Sequence, residues 1–251
     1  MPRYDFRTPR LYVDAPLAMS AKVPLEAPQV NYLRNVLRRK AGEAVLVFNG
    51  RDGEWQGTLA DDGKRSLLLI VNELVRAQTP ALDLHYLFAP LKHARLDYMV
   101  QKAVELGASR LQPVLTRHNQ VARINLNRMR ANAIEAAEQC GILTLPDVAA
   151  PITLDRLIAE RDPAGLLVFC DEDAEVKDPI AALSAARLHD AAPAPLAVLV
   201  GPEGGFADGE RAALLKLPNV VRLALGPRIL RADTAAVAAL SLVGAVLGDW
   251  R

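Results

Sequence analysis

The sequence predicts an α/β protein: a mostly parallel sheet with helices on both faces, preceded by a small β-rich domain. Three observations carry that expectation. From residue 82 onward, short apolar runs alternate with amphipathic helical patterns. Before residue 78 there are instead several short strands, turn-rich separators and one helix. Two apolar runs near the C-terminus each end in a glycine-proline turn that feeds a helix.

In the first part, residues 10–13 read as a short strand and 28–39 as a helix. Val30, Leu33, Val36 and Leu37 share one face of that helix, with Arg34, Arg38, Arg39 and Lys40 elsewhere. Strands follow at 44–48, 55–60 and 67–75. Between them, Asn49-Gly50-Arg51-Asp52-Gly53 and Asp61-Asp62-Gly63-Lys64 are hairpin signals. Short strands with one helix suggest a small barrel. A hinge near 77–80 divides the chain into domains at 1–77 and 78–251. Beyond it, strands are expected at 82–88, 111–115, 165–170, 196–200 and 220–225. Helices are expected at 92–106, 126–140, 152–160, 179–187 and 235–247. Gly107 and Gly141 stop the helices before them. An Ala/Pro-rich loop spans 191–195, and no repeat is visible.

A chain of 251 residues holds one or two domains and a substantial core. Cys140 and Cys170 make neither a disulfide framework nor a metal cluster, and the four histidines lack ligand spacing, so a metal-free protein is expected. The N-terminal residues hold no apolar run of signal-peptide length. The longest uncharged run, 234–248, is shorter than the roughly 20 residues that span a bilayer. A cytoplasmic protein with no membrane partner follows. The net charge of +1 says little, but its distribution is uneven. Residues 1–40 carry eight Lys/Arg against three Asp/Glu, residues 92–130 eight against two, and residues 135–190 four against twelve. A basic face of this kind is the footprint of a nucleic-acid binder, though ordinary solvated surface gives the same pattern.

The chemistry is expected in the two C-terminal loops, because ligands of open α/β sheets bind beyond the carboxyl ends of the strands. The first, Gly201-Pro202-Glu203-Gly204-Gly205, lets the backbone approach a ligand closely. Its N–H groups suit an anion or the edge of an adenine; a tight turn with no ligand reads equally well. No Lys-Ser/Thr follows its glycines and it is not G-x-G-x-x-G, so both common phosphate cradles are disfavoured. The second loop runs Leu225-Gly226-Pro227-Arg228-Ile229-Leu230-Arg231-Ala232-Asp233-Thr234-Ala235. The Ile229-Leu230 pair between its arginines implies a folded, partly buried loop. Asp233 or Thr234 is positioned as the N-cap of the helix that follows.

GPEGGF followed by LGPRILRADTA resembles the paired loops of the SPOUT class of RNA methyltransferases. Within it, the chain is similar to the family that methylates N3 of a uridine in 16S ribosomal RNA. The likeness extends to Glu138-Gln139-Cys140-Gly141 and to Gln101-Lys102-Ala103-Val104-Glu105-Leu106-Gly107, and covers essentially the whole chain. It departs from the family pattern at Asp233, where glutamate is usual, and at Ile142, where arginine is common. The resemblance implies a SPOUT-type trefoil knot, which pattern and topology rules alone would argue against. It also implies a PUA-like RNA-binding barrel, S-adenosylmethionine as cofactor, a homodimer packed through helices such as 235–247, and 16S ribosomal RNA within the small ribosomal subunit as partner.

The site residues implied are these. Arg231 stabilises charge on the uracil oxygens, and Arg228 contacts the RNA backbone or assists. Asp233 accepts the N3 proton or orients Arg231, with the helix-capping reading still open. Cofactor contacts come from Leu199, Gly201, Glu203, Gly204 and Gly205, then from Leu225, Gly226, Ile229, Leu230 and Ala235, with Phe169 and Cys170 beside them. Glu203 binds a ribose hydroxyl or caps the next helix. Cys170 reads as a small buried hydrophobe. Arg34, Arg38, Arg39, Lys92, Arg117 and Arg123 are expected to hold RNA; Arg117, His118, Asn119, Gln120 and Arg123 form a polar loop that reads equally well as solvated surface. Three rivals stand: a SPOUT enzyme acting on transfer-RNA ribose, a non-catalytic RNA-binding homologue, and a nucleotide-phosphate enzyme.

Overall fold

The structure, a computed structural model, describes residues 7–63, 66–119, 121, 123–187 and 195–250. Lys64, Gln120 and most of the loop expected at 191–195 fall outside these residues. The chain divides into two compact units. One takes in the chain up to Pro80 together with Ala137–Leu145; the other holds Ala81–Ala136 and Pro146–Arg251.

The first unit contains β1 (Arg10–Tyr12), β2 (Lys22–Pro24), α1 (Ala27–Asn31), β3 (Ala44–Phe48), β4 (Glu54–Asp61) and β5 (Leu67–Arg76). The sheet order is β1-β3-β4-β5-β2, parallel only between β1 and β3. Alternate positions turn inward: Val45 and Val47 of β3 and Leu67, Leu69 and Val71 of β5 meet Leu33 in one apolar core. The helix expected at 28–39 is α1 followed by a π-helical turn, Tyr32–Val36. The wider turn breaks the 3.6-residue spacing, so Leu33 is fully buried while Val36 stands 61% exposed. The three-residue β2 has one buried side chain and leaves no periodic signal.

Residues 137–145 were expected in the second domain, but their contacts lie with the first unit. The cause is a buried carboxylate. Glu54, 1% exposed, accepts from Arg10 Nε and from Arg76 Nε at 2.7 Å. Both arginines then donate onward: Arg10 to the carbonyls of Ala137 and of Ile142 (2.6 Å), and Arg76 to that of Gly141 (2.7 Å). The Ala137 carbonyl, in the last turn of α3, also accepts the Ile142 N–H at 3.1 Å, and Gly141 and Ile142 lie just past the helix. The two guanidinium groups therefore clamp the turn that ends α3 and put positive charge at the negative end of its dipole. The Tyr12 N–H donates to Glu138 Oε1 at 2.8 Å. The Glu138–Gly141 motif therefore has a structural task in this chain. Burial works against the charge on Glu54, and the hydrogen bonds from Arg76 and Arg10 outweigh it, holding the carboxyl below its ordinary range.

The second unit carries β6 (Leu84–Phe88), α2 (His93–Glu105), β7 (Arg110–Leu115), β8 (Asp147–Val148), β9 (Ile152–Thr153), α4 (Leu154–Glu160) and β10 (Leu166–Cys170). Then come α5 (Pro179–Arg187), β11 (Leu196–Val200), α6 (Asp208–Leu215), β12 (Val220–Leu223) and α7 (Ala232–Val246). Between β7 and β8, α3 (Leu126–Cys140) begins in this unit and ends in the first. The sheet order is β12-β10-β11-β6-β7-β8, with β9 on β7, and every pairing is parallel. Helices cover both faces, as expected. Leu87, Val114, Leu167, Phe169 and Leu199 pack on one side against Leu154 of α4 and Leu214 of α6. On the other, Tyr86 is fully buried and its hydroxyl donates to Met99 Sδ of α2 at 2.9 Å.

Two boundaries need correction. The helix expected at 152–160 starts at Leu154, because Ile152-Thr153 pairs with β7 and Thr153 Oγ1 then caps the helix, accepting from the Arg156 N–H. The last helix starts at Ala232, with Arg231 at its N-cap position and no side-chain cap. Asp233 and Thr234 are therefore inside the first turn and neither is the N-cap. A carboxylate suits that turn as well as the cap, since it meets the positive end of the helix dipole. Asp233 Oδ1 accepts the Thr234 N–H at 2.9 Å.

Candidate active site

Register places the site. Phe169 of β10 pairs with Leu199 of β11 on one side and with Arg222 of β12 on the other. Because these strands are parallel, the GPEGGF loop, the Cys170-Asp171 corner and the LGPR loop leave the sheet at the same edge. Strands lie about 4.8 Å apart, so β11 and β12 flank a gap of roughly 10 Å above β10.

The first loop folds down onto that edge. Gly201 is required by packing: a Cβ there would sit 2.4 Å from the Phe206 ring. That ring stands edge-on to Phe169, with centroids 5.1 Å apart. Phe169 and Leu199 are fully buried and support the loop from beneath. Gly205 adopts φ +71°, which favours glycine, and its N–H donates to the Pro202 carbonyl at 2.9 Å. The loop after β7 braces the other side. His118 Nδ1 lies 3.1 Å from the Gly205 carbonyl, and the Arg117 N–H donates to Glu210 Oε1 at 2.8 Å. Glu210 also accepts the Ala207 N–H at 2.9 Å, so the capping role offered to Glu203 belongs to Glu210. Glu203 instead pairs with Arg95 of α2 beside a cleft of about 190 Å³ lined by Pro90, Leu91, Lys92, Arg95, Pro202 and Glu203.

The second loop is open. Gly226 has φ +96°, and nothing lies within 4 Å of where its Cβ would be. Arg228 and Arg231 are exposed, and Ile229 is 91% exposed. The expected partial burial of the arginines is therefore not found. Of the apolar pair only Leu230 turns inward, to half-burial, as do Leu225, Asp233 and Ala235, while Ile229 faces solvent. Burial pushes the Cys170 thiol up to about 12, so it is protonated at neutral pH.

The cationic residues divide. Arg34 pairs with Asp61 at 2.6 Å and Arg39 with Glu43 at 3.6 Å, which occupies two of the residues expected to hold RNA. Arg38, Lys92, Arg117 and Arg123 are exposed and make no ion pair among the described residues. Sequence reasoning missed Asp171. It is 6% exposed at the end of β10, between Arg211 of α6 and Arg222 of β12. An aspartate followed by acidic neighbours reads as solvated surface; only the fold brings the arginines to it.

The uncharged main-chain edge at Gly201–Gly205 and the open backbone at Gly226 fit a ligand held through backbone groups, such as S-adenosylmethionine. No group of His, Cys, Asp and Glu among the described residues is arranged to hold a metal ion. None of the described helices is long and apolar enough to cross a membrane.

Glycine-proline loops at the carboxyl edge of a parallel sheet covered on both faces define a SPOUT-type RNA methyltransferase domain behind a PUA-like one. Residues 78–244 match the RNA methyltransferase domain family, and residues 25–72 match the RNA methyltransferase PUA domain. The chain belongs to this family of PUA-containing RNA methyltransferases. The ribosomal RNA small subunit methyltransferase E of Rickettsia conorii is 30% identical, over 93% of this chain and 94% of the relative. The protein of the same name from Synechocystis is 33% identical, over 95% and 78%. The corresponding enzyme of Neisseria gonorrhoeae, solved bound to S-adenosyl methionine, superposes with a TM-score of 0.83 at 25% identity, over 98% of this chain and all of that one.

Proposed function

We propose that this protein transfers the methyl group of S-adenosylmethionine to N3 of a specific uridine in 16S ribosomal RNA, within the assembled small ribosomal subunit. The observation that carries this reading is the pairing of GPEGGF and LGPRILRADTA on strands flanking β10, with Arg228 and Arg231 standing exposed at an open glycine edge. Relatives named for small-subunit ribosomal RNA over nearly the full chain support the substrate.

The cofactor supplies a methyl group already activated on a sulfonium, so the protein's work is binding, alignment and charge control. The backbone of 201–205 and of 225–230 binds it, with Ala235, Phe169 and Cys170 flanking. Uracil N3 carries a proton and is a poor nucleophile until the proton leaves. The charge then spreads to O2 and O4, where the Arg231 guanidinium stabilises it. Arg228 holds the RNA backbone. Asp233 accepts the proton or orients Arg231. The target base is unpaired before N3 is reached. Arg38, Lys92, Arg117 and Arg123 hold phosphates, with residues 1–77 as the RNA-binding domain and 78–251 as the catalytic one. The protein works in the cytoplasm as a homodimer; the exposed Ile229, with half-buried Val237 and Leu242 of α7, supplies apolar surface for the second copy.

The test is transfer of labelled methyl to three substrates: small subunits lacking the modification, naked 16S RNA and transfer RNA. Label in the subunits, with little in the other two, is the expected result. Label in transfer RNA alone would move the protein to the ribose-methylating SPOUT enzymes. Cofactor binding with no transfer to any of them would favour a non-catalytic homologue.

A further inference from the structure

Asp171 belongs to no loop motif, yet it touches the stems of all three loops at the site. Its carboxylate accepts from Arg211 Nε and Nη2, each at 3.2 Å in the fork geometry, and from Arg222 Nε at 2.9 Å. The Asp173 N–H adds a fourth donor at 3.2 Å. Arg211 lies one turn into α6, the helix that the GPEGGF loop feeds. Arg222 lies in β12, three residues before the LGPR loop begins at Leu225. The Asp171 N–H donates to the Leu223 carbonyl at 3.1 Å, and Arg222 Nη2 to the Asp173 carbonyl at 2.8 Å, so the end of β10 is tied to β12 twice more. Burial opposes the charge, but the hydrogen bonds from Arg211 and Arg222 outweigh it and hold the carboxyl below its ordinary range.

We propose that Asp171 is a positioning residue: one buried carboxylate, through Arg211 and Arg222, sets the spacing of the two cofactor loops in the ligand-free protein. The inference rests on the cofactor reading above and adds how the cleft is pre-formed. Loops held at their stems do not have to be ordered at the moment of binding, which is where preorganisation raises affinity. Asp171 makes no contact with the reacting atoms in this scheme. Its loss therefore weakens cofactor binding and leaves saturated turnover comparatively intact.

The experiment uses the full chain and measures S-adenosylmethionine affinity by calorimetry, turnover at saturating cofactor, and amide exchange of 201–206 and 224–231 without ligand. The variants are Asp171→Asn, Asp171→Ala, Arg222→Gln and the double variant Asp171→Ala/Arg222→Gln. Glu54→Gln, whose carboxylate lies in the other unit, controls for stability loss alone. Asp171→Ala is expected to weaken affinity ten-fold or more and to speed exchange in both loops. Arg222→Gln is expected to do so chiefly in 224–231, and the double variant to be no worse than Asp171→Ala, because both act through one network. Asp171→Asn, which keeps the shape and loses the charge, is expected to fall between. Wild-type affinity and exchange in Asp171→Asn and Arg222→Gln would overturn the proposal, as would additive losses in the double variant. So would an equal affinity loss in Glu54→Gln. Wild-type protein that binds no S-adenosylmethionine would overturn the cofactor reading itself.

Discussion

Glu54 and Asp171 are both buried carboxylates held between two arginines, yet the two networks do opposite jobs. Around Glu54 the arginines spend their remaining N–H groups on the carbonyls of Ala137, Gly141 and Ile142, at the end of α3. The Arg10 side chain is 4% exposed, and its guanidinium lies 3.6 Å from the centre of the Phe48 ring. This network is a joint that seals Arg10 inside the fold, although the Arg76 side chain stays 32% exposed, and its donors end on main chain inside one unit. Around Asp171 the arginine side chains remain 31% and 29% exposed, and what they hold are loop stems at an open sheet edge. A buried ion pair is weak evidence of stability by itself. Where its donors end decides whether it fastens the fold or shapes a site.

The largest effect that would sharpen this contrast is at Glu54. Glu54→Ala strands the buried Arg10 guanidinium and takes a partner from the half-buried Arg76, and should destabilise the protein by roughly 3–5 kcal/mol, the cost of breaking a buried pair. Chemical denaturation reads it directly. A change below about 1 kcal/mol would mean that the joint is not closed as described.

Arg231→Ala should do the reverse. The residue is exposed, so stability should move by less than about 0.5 kcal/mol. Turnover should fall about 10²–10³-fold, the usual loss when one group stabilising a developing negative charge is removed. Asp233→Asn, compared alongside, separates its two roles: a base gives a loss of about 10²-fold or more, and intact turnover rules that role out.

Gly226→Ala tests the open edge. The space is free, so the cost is conformational, about 1–2 kcal/mol for a side chain forced into the left-handed region. Its expected signature is weaker cofactor binding with a small loss of melting temperature.

The smallest effect, and the one both networks share, is acid lability. Both carboxyls titrate below their unfolded values, near 4. Their contribution is fully present above that value and is lost as pH falls through the lower folded value. Melting temperature should therefore stay flat between about pH 7 and 5 and drop below about 4. Glu54→Gln should flatten part of that drop.

Much of this was legible in sequence because local pattern and fold agree. The apolar run at 196–200, the helices at 126–140 and 179–187, and the glycines at 107 and 141 stand where their spacing puts them. Errors arose where a tertiary partner overrode a local rule. Val36 turns outward because a π-turn changes the repeat. Helix α4 starts only after Thr153, its cap, because Ile152 and Thr153 pair with β7. Glu203 reads in sequence as either a ribose contact or a cap, and the cap falls to Glu210, which reaches two N–H groups at once. The loop residues of the site were legible because glycine, proline and arginine carry their chemistry in their spacing. Asp171 was not, since its meaning depends on Arg211 and Arg222, 40 and 51 residues away in sequence.

The most direct test of the central claim is the identity of the modified nucleoside. Small subunits methylated by the wild-type protein and by Arg231→Ala would be digested and their nucleosides resolved by mass spectrometry. The account predicts N3-methyluridine with the wild type, reduced at least a hundred-fold with Arg231→Ala under the same initial-rate conditions. A 2′-O-methyl nucleoside, or N3-methyluridine formed equally well by both proteins, would contradict it.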